Sequence, residues 1–383
     1  MKIAIDINGI TARSGLANYL RLLVPALAAE DRENDYLLYL HSWTPPELPP
    51  GLLKDAPNFS LAAQRLPQKA ELLGERVLGL RLAEPFLLRR GVDVFHGPSN
   101  VLPRLSRIPS VLTLHHYMSP AHPLFSKHLG LAERFYFRQT DASLEEAAHV
   151  ITDSDYTRGE VLNRFGLPPD RLTTICPGPA EPAPAPAPAR MDEILSSYGL
   201  GRGYFLFVGP INERKNLPRL LEAFALALKE RPGLKLAVAG DGDPAYMARV
   251  KRNAAELGLG AAVAFTGRTG PEQAAALYAG ALALCYPSLF EGFGYPPLEA
   301  MAAGCPVLAS RAASIPEVVG GAGLLFDPEN PAEMAGAMLK LAGDPAAREA
   351  LIAAGRARLP FFSWSKVARE TIAIYRKAYA ARK

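Results

Sequence analysis

The chain has 383 residues, of which 49% are hydrophobic and 21% charged, and its formal net charge is +4 at pH 7. This length suits two domains, and the mild excess of basic residues is too small to indicate a nucleic-acid-binding protein. No apolar run is long enough to predict a transmembrane helix, and the first residues have the pattern of a strand rather than of a signal peptide. Three widely spaced cysteines favour neither a disulfide framework nor a zinc site, so we expect a cytoplasmic protein.

In the first half, short apolar runs predict strands, and longer segments between them predict helices. The predicted strands are Lys2–Ile7, Tyr36–Leu40, Val92–His96, Val111–His115, His149–Asp153 and Leu172–Cys176. The predicted helices include Leu16–Ala29, Ala70–Arg90, Leu131–Ala147 and Asp155–Phe165. Ser154 precedes the last of these, and we interpret it as a structural N-cap. Such alternation is typical of a parallel sheet built from βαβ units.

A proline-rich segment separates the two halves. Residues 177–190 carry a run of prolines at every second position, which predicts an extended, stiff linker. The strands predicted beyond it are Tyr204–Val208, Lys235–Ala239, Val263–Thr266, Leu282–Tyr286, Val307–Ala309 and Leu324–Phe326. An amphipathic helix follows at about Ser365–Ala381, with its apolar side formed by Val367, Ile372, Ile374 and Tyr375. The sequence therefore predicts an α/β protein with two doubly wound domains.

The segment Glu291–Ala300 places two carboxylates around glycines and prolines, directly after the strand-like run Ala281–Tyr286. The glycines permit a sharp turn, and the prolines suit the first turn of a helix. We therefore expect Glu291 in the loop at the carboxyl end of a strand and Glu299 about one turn inside the next helix. Ligands bind at this edge of an open α/β sheet, and a helix start favours phosphate. Two arbitrary glutamates are usually solvated surface residues. The choice between a surface pair and a ligand site therefore depends on the order of residues in the whole segment.

A second motif, Gly209–Leu217, follows the first predicted strand of the second half. Arg214 and Lys215 precede a helix that Asn216, a good N-cap residue, is expected to open. A diphosphate there would meet a guanidinium, an ammonium and a helix N-terminus together. Arg-Lys pairs are common on surfaces, but the position of this pair at the end of a strand favours an anion site.

These motifs resemble the E-x7-E and R-K-N motifs of the retaining glycosyltransferases of family 4, and the resemblance covers essentially the whole chain. It implies the GT-B fold, in which two Rossmann-like doubly wound domains face a cleft. The implied divisions are an acceptor-side domain over 1–176, a linker over 177–190, a nucleotide-sugar-binding domain over 191–363, and a helix over 364–383 that crosses back to the first domain.

The resemblance also implies a role for each motif residue. Arg214 and Lys215 would hold the donor diphosphate and neutralise the leaving nucleotide, and Glu291 would accept hydrogen bonds from the donor sugar. His115, at the end of a strand, would line the reaction centre and bond the sugar, although a histidine so placed is more often a packing residue. Relatives usually have aspartate where this chain has His116, which leaves the local hydrogen-bonding partner open.

Further donor contacts follow from the same resemblance. Glu299 would accept hydrogen bonds from the ribose hydroxyls. Gly15 lies in a glycine loop, Gly240 in a turn that shapes the nucleotide pocket, and Arg268 close to the base. The remaining expected donor-binding residues are Gly209, Asn216, Phe293, Gly294 and Tyr295. His96 and His116 are expected on the acceptor side. An NAD-dependent dehydrogenase is excluded, because the glycine loop lacks G-x-G-x-x-G.

We therefore expect a retaining, metal-independent hexosyltransferase without a cofactor other than its nucleotide-sugar donor. It is similar to the mannosyl- and rhamnosyltransferases of surface-polysaccharide assembly, so GDP-mannose is the first choice, with UDP- and dTDP-sugars open. The acceptor would be a glycan or a lipid-linked sugar. The stretch Leu72–Arg90, with Arg76, Arg81, Arg89 and Arg90, either rests on the inner face of a membrane or is an ordinary solvated helix. A GT-B glycoside phosphorylase and a non-catalytic nucleotide-sugar-binding protein stay open as alternatives.

Overall fold

A computed structural model describes residues 1–12, 14–44, 47–66, 74, 79–118, 130–180 and 183–381, with the side chains of 131–133 excepted. The chain divides into two compact units. Unit 1 comprises Met1–Gly178 and Phe362–Lys383, and unit 2 comprises Pro179–Phe361. The strands of each unit form one parallel sheet, as the alternation of strands and helices predicts.

Unit 1 contains a 7-stranded sheet in the order β3-β2-β1-β4-β5-β6-β7, with every neighbouring pair parallel. Its strands are β1 (Lys2–Asp6), β2 (Asp35–His41), β3 (Phe59–Gln64), β4 (Val94–Gly97), β5 (Ser110–Leu114), β6 (His149–Thr152) and β7 (Leu172–Thr174). Its first helices are α1 (Gly15–Glu30), α2 (Glu84–Leu88), α3 (Leu131–Glu146) and α4 (Asp155–Phe165). The strand order reverses between β1 and β4, which is the switch point of a doubly wound sheet.

Unit 2 contains a 6-stranded parallel sheet in the order β10-β9-β8-β11-β12-β13. Its strands are β8 (Tyr204–Val208), β9 (Leu236–Ala239), β10 (Val263–Gly267), β11 (Ala281–Tyr286), β12 (Val307–Ser310) and β13 (Gly323–Phe326). Its helices are α5 (Pro188–Ser197), α6 (Leu217–Glu230), α7 (Pro244–Glu256), α8 (Pro271–Gly280), α9 (Tyr295–Ala302), α10 (Ile315–Val319), α11 (Pro331–Gly343) and α12 (Pro345–Arg358). The switch point lies between β8 and β11, so the loops that follow these two strands start side by side.

A last helix, α13 (Trp364–Ala380), belongs to unit 1 and packs along α1. Its apolar side is buried in the same core as β1 and β2, and it includes the four residues expected from the sequence, Val367, Ile372, Ile374 and Tyr375. Its N-cap is Ser363, whose side chain accepts a hydrogen bond from the amide of Lys366. Unit 1 therefore completes its core with residues that come after unit 2 in the chain.

Three expectations about elements are corrected. Strand β3 was not predicted, because it lies at the edge of the sheet and buries only Phe59 and Ala62, while Leu61 is exposed. The predicted helix Ala70–Arg90 is helical at Glu84–Leu88 but not at 79–83, and most of 70–78 lies outside the described residues. The predicted linker runs too far, because Pro188 begins α5 and proline suits a first helical turn. No described helix is long and apolar enough to span a membrane.

Candidate active site

The two motifs of unit 2 meet at the carboxyl edge of its sheet. The loop after β8 contains a short 3-10 helix, Glu213–Lys215, and the loop after β11 runs to Gly294, the N-cap of α9. The amide of Leu289 donates to the carbonyl of Arg214 at 2.9 Å, which joins the two loops. Because β8 and β11 are neighbours in the sheet, residues far apart in sequence are brought to one place.

Arg214, Lys215 and Glu291 form a cluster of three charges, which we call the ion triad. Arg214 Nη1 lies 2.5 Å from Glu291 Oε2, and Lys215 Nζ lies 2.6 Å from Glu291 Oε1. Lys215 also donates to the hydroxyl of Tyr286 at 2.7 Å, and Arg214 to the carbonyl of Phe290 at 2.8 Å. The side chains of Lys215 and Glu291 are almost wholly buried, whereas that of Arg214 is 30% exposed. Arg214 is therefore the member of the triad that an anion can reach from solvent.

Burial alone would raise the pKa of the Glu291 carboxyl, but Lys215 and Arg214 outweigh it and lower this pKa to about 2. Glu291 is therefore ionised at neutral pH. Two cations and one carboxylate leave the ion triad with one net positive charge. An anionic group placed beside Arg214 would meet this charge in a partly desolvated setting, where Coulomb interactions are stronger than in water.

The predicted donor-binding glycines Gly240 and Gly209 are required for different reasons. A Cβ added to Gly240, whose φ is +151°, would lie 1.9 Å from the carbonyl oxygen of Gly209. Gly209 has φ +145°, which residues other than glycine rarely adopt, and a Cβ there would meet Lys215 Nζ only at an ordinary contact distance of 3.7 Å. Gly242 meets Ile211 in the same way as Gly240 meets Gly209. These glycines let the loops after β8 and β9 run in contact.

Asn216 stands at the N-cap position of α6 but does not cap the helix with its side chain, so the expected capping is wrong. Its backbone is left-handed, with φ +57° and ψ +35°, and its side chain makes no hydrogen bond to the helix start. Its side-chain amide, Nδ2, instead donates to the carbonyls of Pro287 at 3.2 Å and Pro328 at 2.8 Å. Asn216 thus ties the loop after β8 to the loop after β11.

Ser314 stabilises the turn that precedes α9 through hydrogen bonds to its backbone. Its hydroxyl lies 2.9 Å from the carbonyl oxygen of Glu291 and 2.8 Å from that of Phe293. Gly294 has φ +117°, and α9 begins at Tyr295 with two prolines in its first turn, as the sequence predicts. Phe293 is buried, so its ring is not available to a ligand.

Glu299 lies one turn inside α9, also as predicted. The hydroxyl of Tyr278 in α8 donates to Glu299 Oε2 at 2.9 Å. Burial raises the pKa of the Glu299 carboxyl above its ordinary value, although Tyr278 and Lys215 act in the opposite direction. The second carboxylate of the motif is therefore held by a hydrogen bond, whereas the first is held by cations.

Arg268 lies at the end of β10 and is exposed. Its guanidinium makes two hydrogen bonds to the Asp241 carboxylate, at 2.9 and 3.0 Å. Asp243, two residues further on, caps α7 by accepting from the amides of Ala245 and Tyr246. Both carboxylates of this Asp-Gly-Asp turn are thus engaged. Among the residues that the structure describes, no group of three or more acidic, histidine or cysteine side chains is placed to hold a metal ion.

In unit 1, His115 follows β5 and makes a hydrogen bond with each ring nitrogen. Nδ1 lies 2.8 Å from Asp153 Oδ2, and Nε2 lies 2.8 Å from the carbonyl oxygen of Pro98. A carbonyl and an ionised carboxylate can only accept, so this arrangement favours the imidazolium, with a proton on each nitrogen. Burial lowers the pKa of His115, but Asp153 outweighs this and raises it above the ordinary value. The edge of the ring packs against Tyr19.

His96 is not an acceptor-side residue, which corrects the prediction. Its side chain is fully buried because β4 lies in the middle of the sheet, beneath α13. Its ring nitrogens are 2.7 Å from the hydroxyls of Tyr375 and Thr113. Burial lowers the pKa of His96 to about 3, so it is neutral and structural. His116 is exposed, as an acceptor-side contact needs.

The glycine loop of unit 1 ends at Gly15, the exposed first residue of α1. Ser14 caps this helix by accepting from the amide of Ala17, and Ser154 caps α4 in the same way, as predicted. Sequence reasoning missed four residues that hold predicted site residues: Asp153 in unit 1, and Tyr278, Tyr286 and Ser314 in unit 2. Of these, Asp153 and Tyr286 could have been suspected, because each ends or follows a strand at the carboxyl edge.

Two family models match the chain. Residues 196–358 match Glycosyl transferases group 1, and residues 13–179 match Glycosyltransferase Family 4. O-antigen chain mannosyltransferase B of Escherichia coli is 33% identical over 289 residues, which cover 74% of this chain and 74% of that protein. The MMP alpha-(1->4)-mannosyltransferase of Mycolicibacterium hassiacum is 42% identical over 130 residues, 33% of this chain and 32% of that protein. The serotype-specific mannosyltransferase WbdA of Escherichia coli is 29% identical over 253 residues, so the match spans 64% of this chain but 31% of that longer protein.

Solved structures share the fold. Sucrose-phosphate synthase from Thermosynechococcus elongatus superposes with a TM-score of 0.75 at 23% identity over 100% of both chains. WaaG, a glycosyltransferase involved in lipopolysaccharide biosynthesis, gives a TM-score of 0.72 at 19% identity over 97% of this chain and 99% of its own. Anabaena HepE in complex with UDP-glucose gives 0.70 at 20% identity over 97% and 99%. With its ion triad and its second carboxylate at the switch point of unit 2, the chain belongs to glycosyltransferase family 4, and its two units have the GT-B fold.

Proposed function

We propose that the chain is a retaining hexosyltransferase that moves a sugar from a nucleotide-diphosphate donor to a hydroxyl of a glycan or lipid-linked acceptor. One observation carries this proposal: a net positive ion triad and a second carboxylate, Glu299, share one edge of the unit 2 sheet. A nucleotide sugar has the matching groups, namely a diphosphate and two sets of sugar hydroxyls.

Both the cations and the carboxylate of the ion triad would contact the donor. Arg214, the exposed cation, would bond the diphosphate, and the charge of Lys215 would add to its field. Beside its two cations, Glu291 also interacts with the hydroxyls of Tyr286 and Ser288. A hydroxyl of the donor sugar would replace one of these two hydroxyls at the carboxylate. Glu299 would accept hydrogen bonds from the ribose.

The retaining outcome is the one that the resemblance to family 4 implies, and within it a front-face reaction fits best. A carboxylate that two cations hold ionised, with a pKa of about 2, is a poor nucleophile, which disfavours a covalent glycosyl-enzyme. In a front-face reaction the bond from the anomeric carbon to the phosphate oxygen breaks, and the acceptor oxygen bonds to the same face. The leaving phosphate takes the acceptor proton while Arg214 and Lys215 stabilise its charge.

We assign the acceptor side to unit 1, where His115 supplies a charged hydrogen-bond donor. Asp153 fixes Nδ1, so Nε2 is the nitrogen that can exchange the Pro98 carbonyl for a substrate hydroxyl. GDP-mannose is the proposed donor, since the relatives reported above are named mannosyltransferases. We propose that no metal takes part, because the cations of the triad supply the charge that a metal would bring.

Saturation-transfer NMR against GDP-, UDP-, ADP- and dTDP-sugars tests the donor, with slow release of the sugar followed in the same samples. Binding and release of mannose from GDP-mannose, unchanged by EDTA, supports the proposal, and an α-linked product would establish retention. Failure to bind any donor, together with binding of phosphate and an oligosaccharide, would instead indicate a glycoside phosphorylase.

Variants test the site. Arg214→Gln should lower kcat/KM by about 10²-fold or more, because it removes a charge-assisted contact to the leaving group. Arg202→Gln is the matched control: this arginine is also in unit 2 and exposed, and it pairs with Asp192, so activity should be unchanged. Equal activity in both variants would contradict the site.

A further inference from the structure

Tyr278 is buried in α8, with 6% of its surface exposed, and its hydroxyl reaches across to α9. There it donates to Glu299 Oε2 at 2.9 Å, and no other described residue hydrogen-bonds to this carboxylate. A tyrosine hydroxyl has one proton to give, and Tyr278 gives it to Glu299. The structure thus commits one buried phenol to the orientation of one carboxylate.

Helix α8 itself is anchored independently. The hydroxyl of Tyr204 in β8 donates to the carbonyl of Leu277 at 2.7 Å, and Leu277 is fully buried. The ring of Tyr278 is therefore held by its helix and its burial, without help from Glu299. Because the donor is fixed, its hydrogen bond limits rotation of the Glu299 carboxylate about its terminal bond, which is otherwise a soft torsion.

We propose that Tyr278 is a positioning residue that aims Glu299 at the two adjacent hydroxyls of a ribose, so that the site selects ribonucleotides over deoxyribonucleotides. This inference rests on the proposed function, in which Glu299 contacts the nucleotide. With one position of Oε2 used by Tyr278, the carboxylate keeps Oε1 and the second position of Oε2. Two hydroxyls on neighbouring carbons match these two acceptors, whereas a deoxyribose leaves one of them without a partner.

The experiment is a titration calorimetry series with GDP, UDP and ADP, each compared with its 2′-deoxy and 3′-deoxy forms. The measured quantity is the ratio of the two dissociation constants, deoxy over ribo, for each protein variant. In the unmodified protein the removal of a hydroxyl bonded to a carboxylate should raise Kd by roughly 10- to 100-fold. In Tyr278→Phe this ratio should fall by about 3- to 10-fold, since the carboxylate is free to turn.

Tyr204→Phe is the control, because it removes a hydroxyl that anchors the same helix and does not touch Glu299. It should leave the deoxy-to-ribo ratio unchanged. Both dissociation constants are measured on the same protein sample. Partial unfolding of a variant lowers the apparent number of binding sites equally in the two titrations and leaves the ratio of the constants unchanged. Loss of stability is thereby separated from loss of selectivity.

Glu299→Gln distinguishes the two proposals. If this variant keeps the ratio of the unmodified protein, or if none of the three nucleotides binds at all, the proposed nucleotide site fails and the role of Tyr278 fails with it. If Glu299→Gln abolishes the selectivity but Tyr278→Phe retains it, the site stands and the positioning role is wrong. If both variants lower the ratio and Tyr278→Phe adds nothing to Glu299→Gln, Tyr278 acts through Glu299.

Discussion

The ring of His115 lies between two acceptors, which predicts that it is an imidazolium. Asp153→Asn should lower the pKa of His115, because the charge that outweighs burial is lost. In nitrogen-detected NMR of the unmodified protein at neutral pH, the ring of His115 should carry two protons. His96, with a pKa lowered by burial to about 3, is the internal control and should show one proton in both proteins. A singly protonated His115 at pH 6 would contradict this assignment.

The buried part of the ion triad predicts how stability depends on pH. Glu291→Gln should destabilise unit 2 at pH 7 by about 3–5 kcal/mol, because it leaves Lys215 buried without its counter-charge. The unfolded chain has an ordinary carboxyl pKa near 4.5 and the folded one a pKa of about 2. Protons therefore bind the unfolded state first, and the stability contributed by Glu291 is lost as the pH falls from about 5 towards 2.

Urea unfolding of the unmodified and variant proteins measures this difference. Both tryptophans, Trp43 and Trp364, lie in unit 1, so tryptophan fluorescence reports unit 1 while far-UV circular dichroism reports both units. The variant should shift the dichroism transition and leave the fluorescence transition in place. A gap between the two proteins that widens as the pH falls would show that the pKa of Glu291 is not depressed.

The loops after β8 and β9 touch through glycine backbones, which predicts a severe effect from one methyl group. Gly240→Ala should push these loops apart, because its Cβ would lie 1.9 Å from the carbonyl oxygen of Gly209, and backbone cannot yield as a side chain can. Lys215 packs against Gly209, so donor binding should weaken together with stability. Gly336→Ala, in α11 with nothing within 4 Å, is the control and should be neutral or slightly stabilising. Thermal unfolding and nucleotide titration of both variants test this.

Elements with strong local signals were predictable. The turn and the two prolines before Glu299 specify the start of α9 whatever surrounds them, and β11 is an uninterrupted apolar run with the observed bounds. The strand β3 was missed because an edge strand buries few of its residues and so has a weak apolar pattern. The prediction that the side chain of Asn216 caps α6 was wrong for a different reason: the carbonyl groups that it bonds lie 71 and 112 residues away in the sequence.

The same limit applies to the candidate site. The sequence identified the charged members of the ion triad, because they stand in motifs at strand ends. It did not identify Tyr278, whose sequence neighbours are ordinary helix residues and whose contact with Glu299 is visible only when α8 and α9 are placed together. His96 was misassigned because its motif position was known but the burial of β4 beneath α13 was not. A residue that acts through another residue is hard to predict from sequence, because its contact depends on how distant elements pack.

Unit 1 depends on a helix from beyond unit 2, which predicts an asymmetric response to truncation. A chain that ends at Phe361 should keep the sheet of unit 2, because Pro179–Phe361 is one continuous unit. Unit 1 should lose its protection, since α13 buries Val367, Ile372 and Tyr375 against α1 and β4. Hydrogen exchange read by mass spectrometry should show fast exchange in peptides from 1–178 and unchanged exchange in peptides from unit 2. Equal protection of both units would contradict the structural role of α13.

The discontinuity of unit 1 also sets an order of events during synthesis. A ribosome releases residues 1–178 first, but these residues lack the helix that closes their core, so they must wait while all of unit 2 is made. Unit 2 can complete its fold as soon as it emerges, and unit 1 cannot do so until α13 has left the exit tunnel. The first half of the nascent chain therefore exposes an unclosed apolar surface along α1 for the longest time, and it is the part for which a chaperone has the most to do.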